Sequence, residues 1–123
     1  MTSHRDTKRT GRANEIIAHE AAHFIKENVG TESLITVTRV LPSSRGERIT
    51  IFISVFPEER ERSALSFLSR QREAFSGHLK AHARLRPLPR VDFEIDVGEK
   101  NRRHLEELLK NENERGPGGI GHE

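Results

Sequence analysis

The run Arg48–Phe56, RITIFISVF, alternates Ile49, Ile51, Ile53 and Val55 with Thr50, Phe52 and Ser54. Successive side chains of a strand point to opposite faces, so this run places four β-branched residues on one side of a sheet. A second run, VDFEIDV (91–97), alternates as strictly, with Val91, Phe93, Ile95 and Val97 against Asp92, Glu94 and Asp96. The acidic set is expected to line an open face, where a phosphate would be repelled. A third β-rich stretch, SLITVTRVL (33–41), precedes a turn supplied by Pro42, Ser43, Ser44 and Gly46, so 33–41 and 48–56 make a hairpin. Three short strands cannot bury both faces, so helices must cover one of them.

The helices are legible from their apolar spacing. Ile16, Ile17, Ala21, Phe24 and Ile25 recur at three and four residues between about Arg12 and Asn28, with Gly30 as a stop. After Pro57, a helix begins near Glu58 with Ala64, Leu65, Leu68, Phe75 and Leu79 on one side, continuing to about Leu85, where Pro87 and Pro89 end it. Ser76-Gly77 interrupts this second helix, and a glycine there costs about 1 kcal/mol relative to alanine. A bend joining two helices accounts for it. A short amphipathic segment with Leu105, Leu108 and Leu109 follows the last strand. The order is α-β-β-α-α-β in an α+β domain over 12–110, between a flexible basic tail (1–11) and a disordered Gly-rich tail (111–123).

At 123 residues, with 33% hydrophobic and 33% charged, the chain fits one compact core under an ionic surface. It has no cysteine, which excludes a disulfide scaffold and any thiolate metal site. No signal peptide or membrane span is expected, and the chain is read as cytoplasmic. The net charge of +2 conceals two basic zones. Residues 1–12 hold four Lys/Arg against Asp6, for +3, and residues 70–90 hold six against Glu73, for +5. Such zones point to a polyanion partner.

The segment HEAAH (19–23) matches the H-E-x-x-H pattern of zinc proteases, with His19 and His23 on one helix face and Glu20 as a potential base. A catalytic zinc needs a third protein ligand, and residues 24–29 read FIKENV, with no continuation of the motif. Two surface histidines on a helix are the simpler reading, and a zinc-dependent hydrolase is the remote alternative. His78 and His82 form a second pair four residues apart that would supplement a basic face as pH falls. GPGG (116–119) formally matches the GxxG loop of KH domains but lies outside the αα junction where that loop belongs. No phosphate loop, dinucleotide fingerprint or nucleophile arrangement is present.

The stretch TVTRVLPSSRGERITIFISV (36–55) resembles the strand pair of the ribosome-binding factor A family. Thr36, Val37, Thr38, Val40, Ser43, Ile51, Ile53, Ser54 and Val55 stand in like positions, and Phe52 stands where the family often has Tyr. Arg9 and Arg12 resemble its opening R-x-x-R. RLRPLPRVDFEID (84–96) is similar to its RLRxxPELxFxxD, and Leu105, Leu108 and Leu109 match its closing leucines. The resemblance covers about residues 9–110. It implies a type II KH-like fold, α-β-β-α-kink-α-β, with a three-stranded sheet and helices on one face. The GxxG loop would be replaced by an Ala-x-Gly kink, here Phe75-Ser76-Gly77, with Gly kept and Ala not. It further implies a non-catalytic factor, without metal or cofactor, that binds free small (30S) ribosomal subunits, contacts 16S rRNA and promotes its late maturation. Lys80, Arg84, Arg86 and Arg90 would then supply phosphate contacts, with Arg9, Arg12, Arg45 and Arg48 as further candidates. With no Trp or Tyr, the chain is expected to read folded RNA by shape and backbone rather than by base stacking. A monomer with no small-molecule substrate is expected, and a generic KH-like RNA- or DNA-binding module is the alternative.

Overall fold

The computed structural model describes the backbone of residues 4–83 and 88–121 and the side chains of 11–83 and 88–113. Helix α1 (His4–Asn28) leads into strands β1 (Leu34–Pro42) and β2 (Arg48–Phe56). A 3-10 turn (Glu58–Arg60) precedes α2 (Glu61–Arg70) and α3 (Arg72–His82), followed by β3 (Arg90–Ile95) and α4 (Val97–Gly121). The sheet is three-stranded, ordered β1-β2-β3, with β1 antiparallel and β3 parallel to β2. This is the α+β architecture that the alternation requires.

The alternating runs divide as period two dictates. Ile49, Ile51, Ile53 and Val55 are buried, as are Val91 and Phe93. They meet Ile17, Ala21, Phe24 and Ile25 from α1, Ala64 and Leu68 from α2, and Phe75 and Leu79 from α3. Phe75 is wholly buried, edge-on to Phe24 (centroids 5.3 Å apart) and tilted against Phe93 (5.9 Å), so one ring ties α1, α3 and β3 together. Two antiparallel strands form the hairpin, whose turn is closed by Ser43 N–H to the Arg48 carbonyl (2.9 Å) and Gly46 N–H to the Ser43 carbonyl (2.9 Å). Gly46 has φ +73°, the left-handed region that favours glycine.

The structure corrects four details of the sequence reading. First, the interruption between the middle helices falls at Gln71 (φ −92°, ψ 6°), not at Phe75-Ser76-Gly77, which lie inside α3. The Gln71 N–H is shared between the carbonyls of Leu68 (3.0 Å) and Phe67 (3.1 Å), closing α2, while the Gln71 carbonyl accepts from Phe75 N–H (2.9 Å). Arg72 pins the bend. Its Nε donates to the Ser69 carbonyl (3.1 Å) and its Nη1 to Asp92 Oδ1 on β3 (2.7 Å). Gly77 contributes no bend, and a Cβ built there would meet nothing within 4 Å.

Second, Asp96 does not line the open face with Asp92 and Glu94. It is 6% exposed and accepts from Thr38 Oγ1 (2.5 Å) and Glu99 N–H (3.0 Å), so it caps α4 while tying it to β1. Third, Val97 and the leucines Leu105, Leu108 and Leu109 are exposed, the last three at 57%, 63% and 51%. Helix α4 leaves the sheet instead of packing along it, held near its start by Lys100 to Glu61 (2.9 Å) and His104 to Glu58. Fourth, both end helices exceed their apolar spacing. Helix α1 begins at His4 rather than near Arg12, and α4 continues beyond Asn111, because a nucleated helix propagates by one backbone hydrogen bond per added residue.

Candidate nucleic-acid interface

Topology decides where the basic residues meet. Strands β2 and β3 are parallel and start together, with Arg48 opposite Arg90. The hairpin turn, carrying Arg45, lies at this same end, and Arg90 N–H donates to the Glu47 carbonyl (2.9 Å). Helix α3 runs antiparallel to α1, with Phe75 against Phe24 and His78 against Glu20, so Lys80 in its last turn lies on the Arg12 side of these contacts. The short connection from α1 into β1 makes them run in opposite directions, so the Arg12 end of α1 points the same way. The helix from Arg12 to Asn28 spans about 24 Å, close to the length of a nine-residue strand.

Arg12, Arg45, Arg48, Lys80 and Arg90, all expected to contact phosphate, are therefore gathered at one end of the sheet and exposed. Among the described residues, none of the five forms an ion pair. Of the ten other described Lys and Arg side chains, five are paired. Arg39 lies 3.5 Å from Asp96, Arg60 3.8 Å from Glu32, Arg72 2.7 Å from Asp92, and Lys100 2.9 Å from Glu61. Arg102 bonds both Glu99 (2.5 Å) and Glu106 (2.6 Å). Cations with carboxylate partners are neutralised locally, whereas the unpaired set projects its field outward, where an anion lowers its energy. The side chain of Arg9 and the residues Arg84 and Arg86 lie outside the described residues.

At the centre of this end is a shallow cavity of about 250 Å³ lined by Ser43, Ser44, Arg45, Glu47 and Arg48. Ser43 Oγ accepts from the Arg48 backbone N–H (3.1 Å), which fixes the hydroxyl in the cavity wall. Hydroxyl donors and two arginines suit a phosphate oxygen. A larger groove of about 520 Å³ lies at the opposite end, between the finish of α1 and the start of β1. Its lining is mainly apolar, from Ala22, Ile25, Val29, Leu34 and Ile35, with Lys26, Thr31 and Ser33 as its polar members.

The open sheet face is less acidic than the sequence suggests. Asp92 is bonded by Arg72, and Arg39 lies over the Phe52 ring, its guanidinium carbon 4.4 Å from the centroid. The Thr38 hydroxyl bond, the Glu99 N–H and the Arg39 charge hold the Asp96 carboxyl below its ordinary range. Arg72 and Asp96 carry structural weight that sequence reasoning missed. Asp96 and Thr38 are separated by 58 positions, and no local pattern announces their bond.

Two of the HEAAH residues are engaged by other side chains. Glu20 Oε1 is bonded to His78 Nε2 on α3 (2.7 Å), and His23 pairs with Glu27 (3.3 Å). Among the described residues, no group of three or more His, Cys, Asp or Glu is placed to hold a metal. Nor is any described helix long and apolar enough to cross a membrane.

Comparison with known proteins agrees with the fold. The family model "Ribosome-binding factor A" matches residues 9–109. The crystal structure of ribosome-binding factor A from Thermus thermophilus is similar at 27% identity, covering 69% of this chain and 93% of that one, with a TM-score of 0.62. A Thermus thermophilus ribosome binding factor A model fitted into a cryo-EM map of its 30S complex is 28% identical, covering 69% and 88%, with a TM-score of 0.56. A Thermotoga maritima structure solved by NMR shares the fold at 18% identity, covering 76% and 89%, with a TM-score of 0.53. No curated protein sequence matches. With the family pattern spanning nearly the whole described domain, the chain belongs to the ribosome-binding factor A family.

Proposed function

We propose that this protein is a non-catalytic assembly factor, acting as a monomer, that binds the free small ribosomal subunit through 16S rRNA and promotes late 16S rRNA maturation. Family membership supports the ribosomal partner, as does the 30S complex of the Thermus relative. The observation that carries the rRNA contact is the set of five exposed cations, unpaired among the described residues, of which Arg45 and Arg48 line the cavity with Ser43 and Ser44. Arg84 and Arg86, outside the described residues, remain candidates from the sequence. Contacts of this kind position the protein on the phosphate backbone and give a binding constant that falls steeply with salt.

Sedimentation of the protein with ribosomal particles through a gradient tests the reading. Enrichment with free small subunits over complete ribosomes is expected. The triple variant Arg45→Glu, Arg48→Glu, Arg90→Glu should lose most of this association while unfolding at an unchanged urea midpoint. Equal association with any RNA would instead favour a general nucleic-acid-binding module. Unchanged association of the triple variant would remove the hairpin end from the interface.

A further inference from the structure

Four histidines are grouped on α1 and α3. His19 and His23 share one stripe of α1 with Arg12 and Lys26, at spacings of seven, eleven and fourteen residues from Arg12. Across the seam with α3, the His23 and His78 rings lie 6.2 Å apart, and His78 stacks on His82 at 4.3 Å. Glu20 fixes His78, and the His78 carbonyl accepts from His82 Nδ1 (2.9 Å), which leaves the His82 Nε2 edge outward. His78 is the inner member at 13% side-chain exposure, whereas His19, His23 and His82 are exposed. Beneath the seam lie the rings of Phe24 and Phe75, not charged groups.

Apart from the histidines, the charged groups of the two helices balance among the described residues. Arg12 and Lys26 from α1 and Arg72 and Lys80 from α3 stand against Glu15, Glu20, Glu27 and Glu73. Neutral imidazoles therefore leave the seam without net charge, and protonated ones make it strongly positive. An imidazole titrates near pH 6.5, and an adjacent phosphate favours its charged form. The stripe is continuous with the basic end through Arg12.

We propose that the α1–α3 seam is a second RNA-phosphate surface, in which His19, His23 and His82 contact the backbone as imidazolium groups, so that binding takes up protons. The inference rests on the rRNA-binding reading above and adds a surface that the hairpin-end arginines do not include. His78 is its positioning residue, held by Glu20 and supporting His82.

The test uses the full chain and purified free small subunits, with affinity measured by sedimentation at pH 6.0 and pH 8.0 at one ionic strength. The triple variant His19→Gln, His23→Gln, His82→Gln preserves helix-compatible side chains, and comparison with it cancels any pH response of the subunits themselves. Three surface contacts of ordinary strength make the wild-type gain from pH 8.0 to 6.0 roughly fivefold larger than the variant's. The salt dependence should also be steeper for wild type at pH 6.0. The corresponding triple lysine variant should bind at pH 8.0 at least as tightly as wild type does at pH 6.0. Parallel pH profiles for wild type and the glutamine variant, with the hairpin-end reversal still abolishing binding, would overturn this inference alone. Absence of wild-type binding at both pH values would overturn the rRNA reading on which it depends.

Discussion

Gly77→Ala should stabilise the protein, and the size of the gain follows from the geometry of α3. Gly77 is the sixth of eleven residues in that helix and is exposed. An added Cβ would meet nothing within 4 Å, so the substitution neither fills a gap nor forces a neighbour to move. What remains is the entropy lost in holding glycine helical, about 1 kcal/mol relative to alanine. With a urea slope of about 1.5 kcal/mol/M, the midpoint should rise by about 0.7 M at constant slope. The melting temperature should rise by about 4 °C. Gly46→Ala supplies the opposite sign. Its space is equally open, but φ of +73° makes any side chain strained, so a loss of about 1 kcal/mol is expected. Equilibrium urea unfolding followed by circular dichroism measures both. If Gly77→Ala lowered the midpoint or changed the slope, α3 would not be regular through residue 77, and the bend would have to move there from Gln71.

Two further perturbations probe other joints of the fold. Phe75→Ala empties the centre of the core and should cost about 3–5 kcal/mol, while Phe75→Leu should cost far less, both read from the urea midpoint. Because the Asp96 carboxyl is held below its unfolded value near 3.9, its contribution is full above about pH 4 and is lost as pH falls through the folded value. Asp96→Asn should therefore flatten the acid limb of a stability–pH profile, and Asp96→Ala should cost about 1–3 kcal/mol at neutral pH.

What could be read from the sequence was what repeats locally. The alternation of Ile49, Ile51, Ile53 and Val55 fixed both the strand and its buried face, and the spacing of Ile17, Ala21, Phe24 and Ile25 fixed that of α1. The bend was misplaced because a mid-helix glycine is a local signal, while the actual break is set by Arg72 reaching Asp92, twenty residues away. Phe75 offered no warning, since a buried ring suits a straight helix as well as a bent one. The leucines of α4 carry a helical period that specifies an apolar face but not its contact, and in this chain they face outward. Basic residues were identifiable from composition. Their gathering at one end depends on the parallel pairing of β2 and β3, which no short motif announces.

The irregularity between Val37 and Arg39 in β1 bears on how the protein behaves at high concentration. Strand β1 is an outer strand of the sheet, and an unbroken row of unpaired backbone groups there would template the addition of another chain. With Thr38 turned to Asp96, the row divides into two short runs that differ in register, and Arg39 stands where they meet. An incoming strand aligned with one run is misaligned with the other. Asp96, which anchors α4, thereby also holds the break in the β1 edge that separates the exposed Leu34 from the exposed Leu41.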